Sequence, residues 1–369
     1  MTRRERLMAL IRGEVPDRSA VKLWGAGEER SPLHPAYVPV RGAALEKTDL
    51  FVRLAGPFDL SWGVRRDDIA REAERSAGST DWVDRVTTVA ASGWRLQSVY
   101  RASTRGRPGR RIECLLKEPE DIHRVLSIPY EPFPFNAEPF LARQREIGDS
   151  GVVSYSLDNP MYGLQRLVGS TNFALWSVDF DGIVLEAITE FARRIREEVK
   201  RVLASGLKPV FSWTGPELCI PPLMSPAAFE RYVVAFDAPL IGLIHDGGGF
   251  VWVHCHGKMR PVIERFVEMG VDVLNTVEPP PMGDLTLAEA FALAGDDMAL
   301  EGNIETHDLM TAHPELLRAK IHDAVDSGRG RRHILCPSSG YVENPDPTER
   351  YIGNLLLYID EGIRYAGSR

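Results

Sequence analysis

Two histidines one residue apart, His254 and His256, head the side chains that could do chemistry in this chain of 369 residues. They end an apolar run, FVWVHCH, immediately before Gly257. Side chains i and i+2 of an extended strand share a face, so both imidazoles project together and Cys255 points the other way. Paired imidazoles suit a divalent transition metal such as zinc. Cys336, ending the later run RHILCP, could add a thiolate, and Glu217 in WTGPELC a carboxylate. An H-x-H pair also occurs in proteins that bind no metal. What favours a metal here is its place at a strand end, with a cysteine at the end of another strand. Cys255, on the opposite face, reads as a small buried hydrophobe, and Cys219 in the loop after a strand is a lesser candidate ligand.

Further polar residues follow other strand ends. Asp158 in SLDNPMYG either caps the turn into the next helix or touches substrate. Glu217 is a metal ligand, a general acid or a solvated loop carboxylate. Tyr162 and Trp24 are expected to line a pocket rather than react. Glu278, before the prolines 279–281, binds substrate or has a structural role. Asn303 and Ser339 complete the candidate substrate contacts. The expectation is thus Asp158 and Glu217 for catalysis and Glu217, His254, His256 and Cys336 for the metal. His34, His123, His245, His307, His313, His322 and His333 have no partner spacing; only His307, just after EGNIET, falls near the same strand ends.

These residues must be positioned by the elements that carry them. From about residue 151 the sequence alternates apolar strand-like runs with amphipathic helices: strands at 151–157, 208–213, 250–256, 271–276, 298–303 and 332–337, and helices at 180–205, from Ser225, at 259–270 and from about Pro347 to Tyr365. The Ser225-Pro226 pair supplies an N-cap and a first-turn proline, and Gly270 closes the helix before it. Strands separated by helices require crossovers and hence a parallel sheet. With Ala20–Trp24 as a first strand, the count favours a (β/α)8 TIM barrel, whose active site lies at the C-terminal strand ends. Residues 85–116 alternate with period two between turn residues, which predicts a β-hairpin excursion packed on the barrel. No repeat or low-complexity linker divides the chain, so residues 1–369 read as one domain. No G-x-G-x-x-G follows a strand, which removes the best signal for a dinucleotide fold.

The composition is 44% hydrophobic and 26% charged with a net charge of -8. It provides a large core and argues against nucleic acid, which an acidic surface repels. It argues more weakly against a polyanionic small substrate. No apolar run reaches the roughly 18 residues of a membrane span. The N-terminus reads as a short amphipathic helix, not a signal peptide. Four cysteines, Cys114, Cys219, Cys255 and Cys336, have no disulfide-like spacing. A reduced, cytoplasmic protein is expected, and a homodimer is compatible with such a surface.

At these residues the sequence resembles a family. The run VWVHCHGKMRPVIERFVEMGVDVLNTVEPP, then MALEGNIET, then HILCPSSGYVENPDPTERYIGNLLLYIDEG is similar to the C-terminal half of the uroporphyrinogen decarboxylase superfamily. The shared features are His254-Cys255-His256-Gly257, Gly302-Asn303-Ile304 and the loop from Ile334 to Gly340, and residues 225–241 resemble the helix between the two preceding strands. The pattern is nearest the branch of methylcobamide:coenzyme M methyltransferases. That likeness implies zinc held by one histidine and two cysteines, with the methyl group supplied as methylcobamide on a separate corrinoid protein. Here the first cysteine of the pattern is His256 and the second falls on Ser339, three residues beyond Cys336, which leaves the metal's identity open. The decarboxylase branch implies arginines near the N-terminal strand for substrate carboxylates; VKLWGAGEER offers Lys22 and Arg30, with Gly25 where an arginine would stand. Uroporphyrinogen itself is therefore not the expected substrate.

The leading expectation is a metal-dependent methyltransferase. His254, His256 and Cys336 would hold a zinc-like ion, Glu217 would be a fourth or labile ligand, and a small methyl acceptor would be shaped by Asp158 and Tyr162. The alternatives are a metal-free lyase of the decarboxylase type, in which Asp158 or Glu217 stabilises a cationic intermediate, and a non-catalytic scaffold barrel.

Overall fold

The computed structural model describes residues 1–368 except Glu29, Arg30, Ser31, Pro32, Pro57, Ser92 and Glu343. Arg30 thus lies outside the described residues. Among the described residues, twelve strands form two sheets. The strands are β1 (Ala20–Val21), β2 (Leu50–Ala55), β3 (Ala70–Ser76), β4 (Trp82–Ala91), β5 (Trp94–Ser103), β6 (Arg110–Glu113), β7 (Gly151–Ser156), β8 (Val210–Trp213), β9 (Phe250–His254), β10 (Val273–Val277), β11 (Ala299–Ile304) and β12 (His333–Pro337).

Eight of them make one curled parallel sheet in the order β1-β12-β11-β10-β9-β8-β7-β2. Its two edge strands meet at Asp49. The Asp49 amide donates to the Val21 carbonyl at 2.8 Å, and the Val21 amide donates to the Asp49 carboxylate at 2.8 Å. Arg6 holds that buried carboxylate at 2.7 Å. The result is TIM-barrel-like, with helices such as Asp181–Ala204 and Glu349–Ala366 packed outside. Strand β2 is absent from the sequence reading, because DLFVRLA sets an arginine inside a short apolar run.

The antiparallel sheet β3-β4-β5-β6 is the expected excursion, but it begins at Ala70 rather than near 85. Its first strand, AREAERS, is charged and almost wholly exposed. It shows no apolar alternation and pairs only because β4 lies beside it, residue for residue from Ala70 opposite Val89 to Ser76 opposite Val83.

The barrel interior is built in layers. Each parallel strand contributes one residue to an apolar girdle: Ala20, Phe51, Val152, Val210, Trp252, Val273, Ala299 and Ile334. Leu7, Leu10 and Ile11 of the helix Arg3–Ile11 pack against it. Two residues further along, on the same face of each strand, stand Lys22, Arg53, Ser154, Ser212, His254, Asn275, Glu301 and Cys336. A wholly apolar layer is thus followed by a wholly polar one. Among the described residues no helix is long and apolar enough to cross a membrane.

Candidate active site

The polar layer and the loops above it carry the chemistry. One donor atom from each of Glu217, His254 and His256 lies within 4.8 Å of the other two. His254 ends β9 and is buried; His256 follows it and is 45% exposed in its side chain, so the pair runs from the interior to the mouth. Their ring centroids are 5.3 Å apart. Glu217 arrives from the turn Pro216–Cys219 after β8. Gly215, with φ of 122°, lets that turn approach: a Cβ there would lie 2.3 Å from the Tyr162 side chain.

The buried hydrogen bonds fix the state of His254. The Asn275 amide nitrogen donates to Glu301 at 2.7 Å, so its oxygen faces His254 Nδ1 at 2.6 Å and must accept. Nδ1 therefore carries the proton and Nε2 keeps its lone pair, the arrangement a metal-binding imidazole needs. Burial also pushes His254 down to about 3, so the ring is neutral. His256 is backed in the same way by Glu278, whose carboxylate lies 3.2 Å from Nδ1 and raises the imidazole's pKa. Burial raises the Glu217 carboxyl, opposed by its hydrogen bond from the Gly215 amide at 2.9 Å.

Cys336 does not join these three. It lies in the same polar layer as His254, but β11 and β10 stand between their strands. Its buried thiol is raised well above the usual range, first by burial and then by Glu301. Glu301 accepts from Trp252 Nε1 at 2.9 Å and pairs with Lys22 Nζ at 2.5 Å. The Lys22 charge is thus engaged inside the barrel rather than offered to a ligand. Cys255 is buried on the opposite face of β9, and Cys219 contacts Met224 Sδ at 3.7 Å, with burial raising its thiol to about 12.

The other candidates spread around the mouth. Trp24 packs edge-on against His254 with centroids 4.8 Å apart. Tyr162 lies against Gly215, its phenol raised by burial. Asp158 stands apart from the cluster, 3.1 Å from Arg166, with its carboxyl raised by burial. It lines a cleft of about 320 Å³ shared with Arg85, Tyr100 and Arg111 of the antiparallel sheet. Asn303 is half-buried in register with Cys336, and Ser339 is half-buried beyond β12. A larger cavity of about 950 Å³, around Arg4, Gln144, Lys208 and Phe250, lies at the other end of the strands, away from the histidines.

Two residues passed over in the sequence belong to this region. Glu305, just beyond β11, accepts from Ser338 Oγ at 3.2 Å, while its other oxygen is buried without a partner. Burial and then the charge of Glu278 raise it to about 7. Its signal was its place immediately beyond a strand end, two positions after Asn303. Arg53 stands in the polar layer over the Trp252 ring, 5.4 Å from its centroid. Only recognition of β2 as a barrel strand would have found it.

The family model described as uroporphyrinogen decarboxylase (URO-D) matches residues 219–349. A uroporphyrinogen decarboxylase of Synechococcus sp. (strain CC9605) is 26% identical over 222 residues, 56% of this chain and 58% of the relative. One of Prochlorococcus marinus (strain MIT 9303) is 27% identical over 157 residues, 40% of each chain. The match thus spans 58% of the first relative's length and 40% of the second's. In fold, a methyltransferase from Methanosarcina mazei matches with a TM-score of 0.60 at 16% identity, covering 98% of this chain and 99% of that one. The matched stretch carries His254, His256, Glu278 and Glu305, and the chain resembles the uroporphyrinogen decarboxylase superfamily in sequence and this methyltransferase in fold.

Proposed function

We propose that the chain is a metal-dependent methyltransferase that moves a methyl group between methylcobamide on a separate corrinoid protein and a small acceptor. The observation that carries this reading is the Glu217, His254 and His256 cluster with each Nδ1 backed by an oxygen acceptor. Two imidazoles and one carboxylate with a free position is a donor set found in catalytic zinc sites. The residues therefore fit zinc or another divalent transition metal, with Glu217, His254 and His256 as ligands and without Cys336. Such an ion, when bound, would supply the Lewis acidity that lowers the acceptor's pKa. The protein's own residues do the rest. Asn275 and Glu278 orient the two imidazoles, Trp24 and Tyr162 wall the mouth, and Glu305 is a carboxyl able to hold a proton near neutral pH. Methyl transfer leaves cob(I)amide on the donor and releases the acceptor's proton.

A carboxy-lyase is the second reading, favoured by the names of the curated relatives and by the raised carboxyls of Asp158 and Glu217. Elemental analysis of untagged protein comes first. The methyltransferase expectation is about one equivalent of transition metal, lost in His256→Ala, followed by loss of the methyl–cobalt absorbance when a corrinoid donor and an acceptor thiol are added. A protein that takes up no metal after incubation with zinc sinks that reading, and carbon dioxide release from a carboxylated substrate then tests the lyase.

A further inference from the structure

Asp237 is a fully buried carboxyl outside the Glu217, His254 and His256 cluster. It stands in the helix Ala235–Asp246, just after the π-helical turn Glu230–Val234. Burial pushes it up to about 7, against the Trp213 indole and the Asn159 amide, which favour its charged form. Asn159 Nδ2 donates to both of its oxygens, at 2.9 Å and 2.7 Å. The same Asn159 caps the helix Pro160–Val168, its Oδ1 accepting from the Tyr162 amide at 3.1 Å. Its side-chain amide is therefore engaged at both ends. On the other side, Trp213 ends β8 and lies close enough to stabilise the Asp237 charge, although its Nε1 meets no acceptor in hydrogen-bonding geometry. After burial, that charge is what raises the Cys219 thiol. Trp213 and Cys219 bracket the turn that carries Glu217. A position packed between elements is ordinarily filled by an apolar side chain, because a buried carboxyl is costly to desolvate.

We infer that Asp237 is a positioning residue: it ties the loop bearing Asn159 and Tyr162 to the turn bearing Glu217, and so holds that carboxylate within reach of His254 and His256. The links are continuous. Asp237 fixes Asn159, Asn159 fixes the Tyr162 amide, the Tyr162 side chain rests against Gly215, and the Gly215 amide donates to Glu217 at 2.9 Å. Without the Asp237 acceptor, Asn159 Nδ2 is left buried and unpaired, and the loop must move to satisfy it. Tyr162 then no longer buttresses Gly215, and Glu217 loses its aim. The π-helical turn before Asp237 is a feature frequent at functional sites. The inference rests on Glu217 being a metal ligand for only one of its two readouts.

Three variants test it. Asn159→Ser keeps an N-cap for the helix with a side chain too short to reach Asp237. Asp237→Leu removes the acceptor, and Asp237→Asn keeps an oxygen for Asn159. The first readout is hydrogen exchange by mass spectrometry on the metal-free protein. Asn159→Ser and Asp237→Leu should speed exchange about 10-fold or more at 157–163 and 213–220 while leaving 299–304 unchanged. Asp237→Asn should stay near the unmodified protein. The second readout is zinc affinity by chelator competition, expected to fall about 10-fold or more in the first two variants and little in the third. Circular dichroism checks each fold; if Asp237→Leu does not fold, Asn159→Ser carries the test. Unchanged local exchange in Asn159→Ser overturns the inference. So does faster exchange spread evenly over the chain, which marks a general role in stability, and so does unchanged affinity in a protein that binds zinc. If the unmodified protein takes up no zinc, the methyltransferase reading fails alone and the exchange result decides this one.

Discussion

Two arcs of one polar ring inside the barrel behave differently. On the arc from β10 through β12 to β1, Asn275 donates to Glu301, Lys22 forms an ion pair with it and Cys336 contacts it, with Lys22 also 4.7 Å and 4.9 Å from the Phe51 and Trp252 ring centroids. On the rest of the ring, His254 keeps a free Nε2 next to Glu217 and His256, and Arg53 makes no ion pair among the described residues. Both arcs contain donors that a metal could use. The closed arc has spent its charges on itself, and buried charges that are paired support a structure. The open arc has unused lone pairs and donors facing the mouth, which is where a ligand gains most. The lesson is that residue type nominates a site, while unsatisfied valence decides between nominees.

This contrast can be broken in order of expected effect. Lys22→Ala should be the most damaging, because it removes the cation paired with the buried Glu301 carboxyl, which keeps only its neutral donors Trp252 and Asn275; urea unfolding is expected to show a loss of about 3–5 kcal/mol. A loss under 1 kcal/mol would mean that the closed arc is not held by that pair. Asn275→Ala reaches across the two arcs. It frees the His254 tautomer and should weaken metal binding about 10- to 100-fold in a chelator competition, and unchanged affinity would detach His254 from its support.

The Glu305 carboxyl gives a pH signature. Raised from the ordinary 4.5 to about 7, it ionises in the unfolded chain before it does in the folded one. Its contribution is fully present below pH 4.5 and is lost as the pH rises through about 7, so stability should fall over that window. Glu305→Gln should flatten that part of the profile, and an unaltered slope would assign the slope to other groups. The smallest effect belongs to Cys336→Ala. It should leave the metal content unchanged and cost about 1 kcal/mol, the price of one small buried group. Loss of metal in that variant would return the thiol to the ligand set.

Much of the second half of the fold was legible because its signals are local. The runs around 151–157, 250–256 and 332–337 are apolar, short and bounded by turns, and strands formed at Gly151–Ser156, Phe250–His254 and His333–Pro337. The His254 and His256 pair was legible for the same reason, since alternation along one strand needs no partner. The β3 strand was not, because a charged segment exposed to water forms a strand only when β4 is beside it. Arg53 was hidden by the same shortfall: with β2 unread, its alternation could not be placed inside the barrel. Cys336 was read as a strand-end donor, correctly placed along its own strand but not around the ring.

Once a strand is placed, its local alternation fixes which residues face inward. Every girdle residue is followed two positions later by a polar one, from Ala20 and Lys22 to Ile334 and Cys336, and that follows from backbone geometry alone. Only the tertiary structure decided which polar residues became neighbours. Strand order and register bring Lys22 to Glu301 and Asn275 to His254, and set Cys336 three strands from the imidazoles. Alternation is local, whereas adjacency around a barrel depends on pairings between distant segments that no short stretch of chain encodes.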